Sequence, residues 1–198
     1  IKIRIIRKIG DSMVIKNLRL VTYDEVILNG YVEFNDGIIT KVGSNYNGDD
    51  AIDGKNLIAM PGFIDIHTHG SCGIDFMDAK KEDYKVIEKA FYSEGITSFL
   101  ATTLTSDLES MIRVCETVKE AKEEVPSLLG IHLEGPYINE IYKGAQNKDF
   151  IRKPSVSELE KLIEASGDNI RLISLAPEIE GSNEFIGEAY DKHITLSA

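Results

Sequence analysis

The chain has 198 residues, 42% of them hydrophobic and 28% charged, with a formal net charge of −11. That composition excludes disorder and leaves room for a sizeable core, and its negative balance argues against nucleic acid and anionic membranes as partners, since both call for clustered Lys and Arg. Two cysteines, Cys72 and Cys115, are too few for a disulfide framework, and no apolar run approaches the roughly 18–20 residues that span a bilayer.

Residues 1–12 are basic and apolar, but Lys2, Arg4, Arg7 and Lys8 interrupt the apolar residues and no small-residue cleavage site follows, so they make a poor signal peptide. They read either as an extension ahead of Met13 or as an extra edge strand. With so few cysteines, the expected location is a reducing cytoplasm. Residues 13–22 have β-branched, partly alternating character. Residues 31–34 lead into Asn35-Asp36-Gly37, a strong turn signal, and residues 38–42 complete a hairpin. Further turns fall at Asn47-Gly48 and Asp53-Gly54. This stretch looks like half of a small β-sandwich, and residues 1–59 are expected to be a subdomain of that kind.

After Pro61-Gly62 the rhythm changes. Residues 63–67 read as a strand. Tyr84, Ile87 and Phe91 recur at helical spacing within residues 80–94, and Gly95 ends that helix. A strand over 97–102 and a helix over 107–124, stopped before Pro126, follow. Residues 128–133 form the next strand. Ser155 caps a helix over 156–165, with Glu158 completing a capping box. A strand over 171–175, a short helix over 183–190 and a last strand over 193–197 end the series, with His193 expected to be structural. Apolar strands alternating with helices imply a parallel sheet covered by helices. An open doubly wound sheet and a (β/α)8 barrel both fit, but no G-x-G-x-x-G follows a strand. A full barrel takes about 250 residues, so residues 60–198 hold about five of its units. The expected fold class is α/β, an incomplete (β/α)8 barrel of the TIM type with a small N-terminal β-sandwich subdomain.

Three segments carry chemistry. In Pro61-Gly-Phe-Ile-Asp-Ile-His-Thr-His-Gly70, strand alternation puts Asp65, His67 and His69 on one face and Ile64 and Ile66 on the other. With the isoleucines packed against helices, the imidazoles point into the barrel at the strand's C-terminal end, where barrel active sites are built. Neutral imidazole suits zinc and similar metals. In Gly130-Ile-His-Leu-Glu-Gly-Pro136, Glu134 ends a strand as a metal ligand or a partner for a buried cation, while His132 on the same face reads as a satisfied core histidine or a support for the ligands. Lys143-Gly-Ala-Gln-Asn147 is a polar loop after that strand, where Gln146 and Asn147 offer amides suited to sugar hydroxyls or a carbonyl. Cys72 is a weak candidate for the metal, and Cys115, in a helical pattern, reads as packing.

These segments, with Leu175-Ala-Pro-Glu178, resemble the N-acetylglucosamine-6-phosphate deacetylases of the amidohydrolase superfamily, over residues 13–198. The resemblance implies a (β/α)8 barrel flanked by a β-sandwich built from both chain ends. It implies metal-dependent hydrolysis of N-acetylglucosamine 6-phosphate to glucosamine 6-phosphate and acetate. It identifies Glu134 with the family's metal-binding Glu, and His67 and His69 with histidines that hold a second metal in some members. The cofactor implied is one or two divalent ions, zinc first, with iron or manganese as alternatives. Ala145 and Gln146 match loop positions that contact substrate, beside Asn147, although many members have His in place of Gln146. The full-length protein is expected to be a homodimer. A further metal His and the general-base Asp are expected beyond Ala198, so this chain alone is expected to be inactive. The competing expectations are a different metal-dependent amidohydrolase and a non-catalytic sugar-phosphate-binding fragment.

Overall fold

The computed structural model describes residues 12–198, so the reading of residues 1–12 falls almost wholly outside the described residues. The chain divides into two compact units, the first ending at Pro61 and the second beginning at Gly62.

The first unit is a single mixed sheet. Strand β1 (Met13–Val21) pairs antiparallel with β2 (Val26–Asn35), which pairs antiparallel with β3 (Ile38–Ser44). Two short strands, β4 (Ile52–Asp53) and β5 (Ile58–Ala59), run parallel to β1. The predicted hairpin turns on Asp36 and Gly37, whose φ angles of 50° and 77° are the positive pair that a two-residue turn needs. Strand β2 begins five residues earlier than residues 31–34 suggest. Its first half, with Val26 and Leu28 exposed, carries no buried alternation to reveal it and is held by backbone pairing to β1. The unit's core is small: Leu18, Leu20 and Val32, with Ile15, Ile27, Phe34 and Ala59 against them.

The second unit alternates as predicted: β6 (Phe63–Thr68), a hairpin of β7 (Gly70–Ser71) and β8 (Ile74–Asp75), α1 (Asp83–Ser93), β9 (Ile96–Thr102), α2 (Leu108–Lys122), β10 (Leu128–Glu134), α3 (Val156–Ser166), β11 (Ile170–Ser174), α4 (Ser182–Asp191) and β12 (Thr195–Ser197). The hairpin was not anticipated. Its tip, Ser71-Cys72-Gly73-Ile74, puts Cys72 and Gly73 at φ 57° and 78°. Five strands form one parallel sheet in the order β12-β11-β10-β9-β6. Each strand lies beside its predecessor, so the order never reverses as it does in a doubly wound sheet. The sheet winds one way and curls, giving the α/β class and part of a (β/α)8 barrel.

The helices turn the faces that their spacing marks toward the sheet. Tyr84, Ile87 and Phe91 of α1, Met111, Val114, Cys115 and Val118 of α2, Leu159 and Leu162 of α3, and Phe185 and Ala189 of α4 join Phe99, Ile131, Leu133 and Ile173 in one buried cluster. Asp107 caps α2, accepting from the Ser110 amide at 2.8 Å. The Ser155 hydroxyl caps α3 by accepting from the Glu158 amide at 3.3 Å, but the capping box stays half made. The Glu158 carboxylate is held instead by Arg152 and the Tyr137 hydroxyl. Ile64 and Ile66 correct the sequence reading: they are 62% and 55% exposed. Among the described residues helix α1 packs mainly over β9 and β7, and these two side chains stand in solvent. Among the described residues no helix is long and apolar enough to cross a membrane.

Candidate metal centre

Strand β6 brings its histidines to the site through a break in its ladder. It pairs with β9 at Ile64–Ser98 and Asp65–Phe99, then next at Thr68–Ala101, so three residues of β6 are set against two of β9. One residue is extra, as in a β-bulge, which bends the strand and re-aims its side chains. Side chains take up the backbone groups at the break. The Asp65 carboxylate accepts from the His67 amide at 3.1 Å, and Thr102 Oγ1 accepts from the Thr68 amide at 3.0 Å. His132 Nδ1 lies 2.9 Å from the Ile66 carbonyl oxygen. Asp65 is thus spent on the backbone and is not among the grouped ligands, although alternation placed it beside the histidines.

Past the bulge the imidazoles converge on β10. His69 Nε2 is 3.1 Å from Glu134 Oε2, and His67 Nε2 is 3.7 Å from the same atom. One ligand atom from each of the three residues falls within 4.8 Å of the others. His69 Nδ1 faces the Thr102 carbonyl at 3.3 Å. A carbonyl can only accept, so Nδ1 carries the proton and Nε2 presents a lone pair. Glu134 Oε2 is buried and has no hydrogen-bond partner. In the neutral ring an imidazole lone pair therefore faces the carboxylate oxygen. That arrangement is repulsive by itself and becomes favourable around a cation, so this donor set fits a divalent metal.

His132 does not belong to the ligand set. It is buried, and both ring nitrogens are engaged, Nδ1 by Ile66 O and Nε2 by Ser174 Oγ at 2.9 Å. Burial pushes its pKa down to about 4, against the hydrogen bond to Ile66 and with help from His67 and His69, so the ring is neutral near pH 7. Cys72 is exposed at its hairpin tip and is not part of the group; Cys115 is buried, as its helical position suggested. His193 is exposed, with φ 57°, in the turn before β12.

The loop after β10 is tied down beside Glu134. Gly135 has φ 76°, and a Cβ there would meet Thr105 Oγ1 at 2.1 Å, so only glycine lets the chain leave the strand this closely. Thr105 donates its hydroxyl to Glu134 O at 3.3 Å and its amide to Gln146 Oε1 at 2.8 Å. Gln146 is buried and its carbonyl oxygen is committed to the fold. Asn147 is exposed and its Oδ1 caps the Asp149 amide at 3.0 Å, while Ala145 is exposed on the loop. The sequence reading missed the clamp that holds this loop. Arg152 Nε binds Glu158 Oε2 at 2.8 Å, its Nη1 donates to Ser106 O at 2.8 Å, and the Tyr137 hydroxyl donates to Glu158 Oε2 at 2.9 Å. Burial first, then the Glu158 charge, hold the Tyr137 phenol well above its usual pKa. The one local signal was Glu158 itself, which the capping pattern assigned elsewhere.

Residues 58–185 match the model of the amidohydrolase family. The chain is 36% identical over 199 residues to the N-acetylglucosamine-6-phosphate deacetylase of Bacillus subtilis (strain 168), covering 95% of this chain and 50% of that protein. It is similar in structure to the Thermotoga maritima N-acetylglucosamine-6-phosphate deacetylase, with TM-score 0.80 and 35% identity over 94% of this chain and 48% of that one. A Mycobacterium smegmatis N-acetyl-D-glucosamine-6-phosphate deacetylase mutant in complex with N-acetyl-D-glucosamine-6-phosphate superposes with TM-score 0.85 over 94% of this chain and 49% of that one. At 23% identity that likeness shows the fold alone. The chain spans about half the length of the curated relatives it matches.

Proposed function

Because this chain belongs to the amidohydrolase family, we propose that His67, His69 and Glu134 hold a divalent metal, zinc first, in an enzyme that deacetylates N-acetylglucosamine 6-phosphate to glucosamine 6-phosphate and acetate. The observation that carries this reading is the buried, unpartnered Glu134 Oε2 with two imidazole nitrogens turned toward it. The named substrate of the relatives supports the choice of amide. When bound, the metal polarises the amide carbonyl and lowers the pKa of water toward about 7. The chain's own residues set the stage for that chemistry. Thr102 O fixes the His69 tautomer, and Gly135 and Thr105 hold Glu134 at the strand end. Arg152 and Glu158 keep the loop of Ala145, Gln146 and Asn147 beside it. With Gln146 Oε1 and Asn147 Oδ1 each engaged by a backbone amide, the amide N–H groups are the side-chain atoms we assign to a sugar phosphate. In our reading residues 60–198 are the hydrolase part and residues 1–59 a separate β subdomain, in a cytoplasmic homodimer.

Acetate release from N-acetylglucosamine 6-phosphate by the zinc-supplemented full-length protein, compared with its Glu134→Ala variant, tests the reading. Release that falls at least about 100-fold in the variant supports it. Release that Glu134→Ala leaves unchanged, or hydrolysis of other amides in preference to this one, overturns it.

A further inference from the structure

We propose that His132 is a positioning residue for the metal centre: by bridging the Ile66 carbonyl on β6 and the Ser174 hydroxyl on β11, it holds the bulge that aims His67 at Glu134. The proposal rests on the metal-centre reading above and adds to it a residue that binds neither metal nor substrate.

The bridge is long-range in the sheet. Strand β9 lies between β6 and β10, so the imidazole crosses a whole strand, over the sheet's inner face, to reach a main-chain oxygen 66 residues back. The oxygen it reaches lies inside the break of the β6–β9 ladder, which resumes only at Thr68. A carbonyl released from a ladder must find another donor, and His132 provides it next to the first metal ligand. The protonation pattern is fixed from both sides. Ile66 O accepts, so Nδ1 bears the hydrogen; Nε2 then accepts from the Ser174 O–H at 2.9 Å. Ser174 ends β11, so one ring ties together β6, β10 and β11. The ring also stands edge-on to His67, with centroids 4.9 Å apart and planes at 74°, and so blocks one direction in which that imidazole could turn. Fully engaged and 2% exposed, His132 acts on the site only through β6 and His67.

The test uses the 198-residue chain with Co(II) as the probe. Affinity is read by competition with a chromophoric chelator, geometry by the Co(II) ligand-field spectrum, and the bulge by hydrogen exchange of the His67 and Thr68 amides. His132→Phe keeps the ring's bulk and loses both hydrogen bonds. It is expected to weaken Co(II) binding about ten- to hundred-fold, alter the spectrum and speed exchange at both amides, with far-UV circular dichroism unchanged. His132→Asn places an amide donor where Nδ1 was and is expected to recover most of the affinity and protection. Folded His132→Phe with native affinity, spectrum and exchange overturns the proposal. So does His132→Asn that is no better than His132→Phe while both melt equally early. If the unsubstituted chain binds no Co(II), His67, His69 and Glu134 do not suffice for binding by themselves, and the exchange measurement decides the positioning role alone: unchanged exchange in His132→Phe overturns it and faster exchange supports it. If His132→Phe does not fold, Ser174→Ala replaces it. A severalfold loss of affinity, with His132 15N shifts that report mixed tautomers, supports the proposal, and native values of both overturn it.

Discussion

Strands β10 and β6 deliver ligands to the same point and are built in opposite ways. Strand β10 lies inside the sheet, laddered to β9 and β11, with Ile131 and Leu133 at 0% exposure beneath the helices. Strand β6 ends the sheet among the described residues, with its outer isoleucines in solvent and its ladder interrupted where the first histidine stands. Glu134 is therefore placed by a packed strand with help from Thr105, and the histidines by backbone hydrogen bonds that Asp65 and Thr102 accept and His132 donates. The difference teaches that stability and ligand geometry are controlled by separate residues on two strands that β9 holds apart.

The sharpest way to break this comparison is to shorten one apolar side chain on each strand. Leu133→Ala is expected to cost about 2–5 kcal/mol in urea unfolding, and Ile66→Ala, half in water already, under about 1 kcal/mol. Equal losses would mean that β6 is packed as β10 is. Next, Glu134→Ala is expected to weaken divalent-metal binding by two orders of magnitude or more (about 3 kcal/mol at most affinities) while leaving the melting temperature of the metal-free protein the same or higher, since a buried unpaired carboxylate oxygen is removed. Chelator competition and calorimetry check the two halves.

A smaller effect belongs to the side beneath β10. Helix α2 packs there, and burial pushes the Cys115 thiol up to about 12. A raised folded-state pKa of an acid favours the neutral form, so this contribution is complete below the unfolded thiol pKa of about 8.5. It is lost as pH rises toward 12, by up to roughly 1.4 kcal/mol per pH unit. Urea unfolding at pH 8 and pH 10 should show the loss, and Cys115→Ala should flatten it. Exposed Cys72, on the hairpin that continues β6, should react with a thiol reagent in native protein, whereas Cys115 should react only on unfolding. The smallest expected effect is a control. Asp107→Ala removes the α2 cap, costs about 1 kcal/mol, and leaves metal affinity unchanged.

Much of this contrast was legible in the sequence on the β10 side and little of it on the β6 side. Helical spacing marked Tyr84, Ile87 and Phe91 as core, Asp107 and Ser155 stand at helix starts, and His67, His69 and Glu134 were read from residue type at strand ends. Alternation, however, assumes an unbroken strand. The bulge at Ile66 and His67 depends on Thr102 and His132, which lie 34 and 66 residues away from the groups they hold. No local pattern announces a Thr that will accept from a distant amide. The same holds for Gln146: its polarity suggested a free sugar contact, and its oxygen proves to be committed to Thr105, 41 residues earlier. Ile64 and Ile66 are exposed among the described residues, where α1 packs over β9 and β7 instead.

The unreversed strand order has a consequence for the order of assembly. Each strand from β9 onward needs only its immediate predecessor to pair with, so every docking step closes a loop about one helix long, and loop-closure entropy rises in small, similar increments. A chain emerging from the ribosome can add its units one at a time in this way. The bond from His132 to Ile66 does not fit that schedule, for it waits until β10 has arrived beside β9, and its second anchor, Ser174, comes 42 residues later still. Secondary structure and most burial around β6 can thus form well before its histidines are brought to their final aim, which makes metal competence one of the last properties the growing sheet acquires.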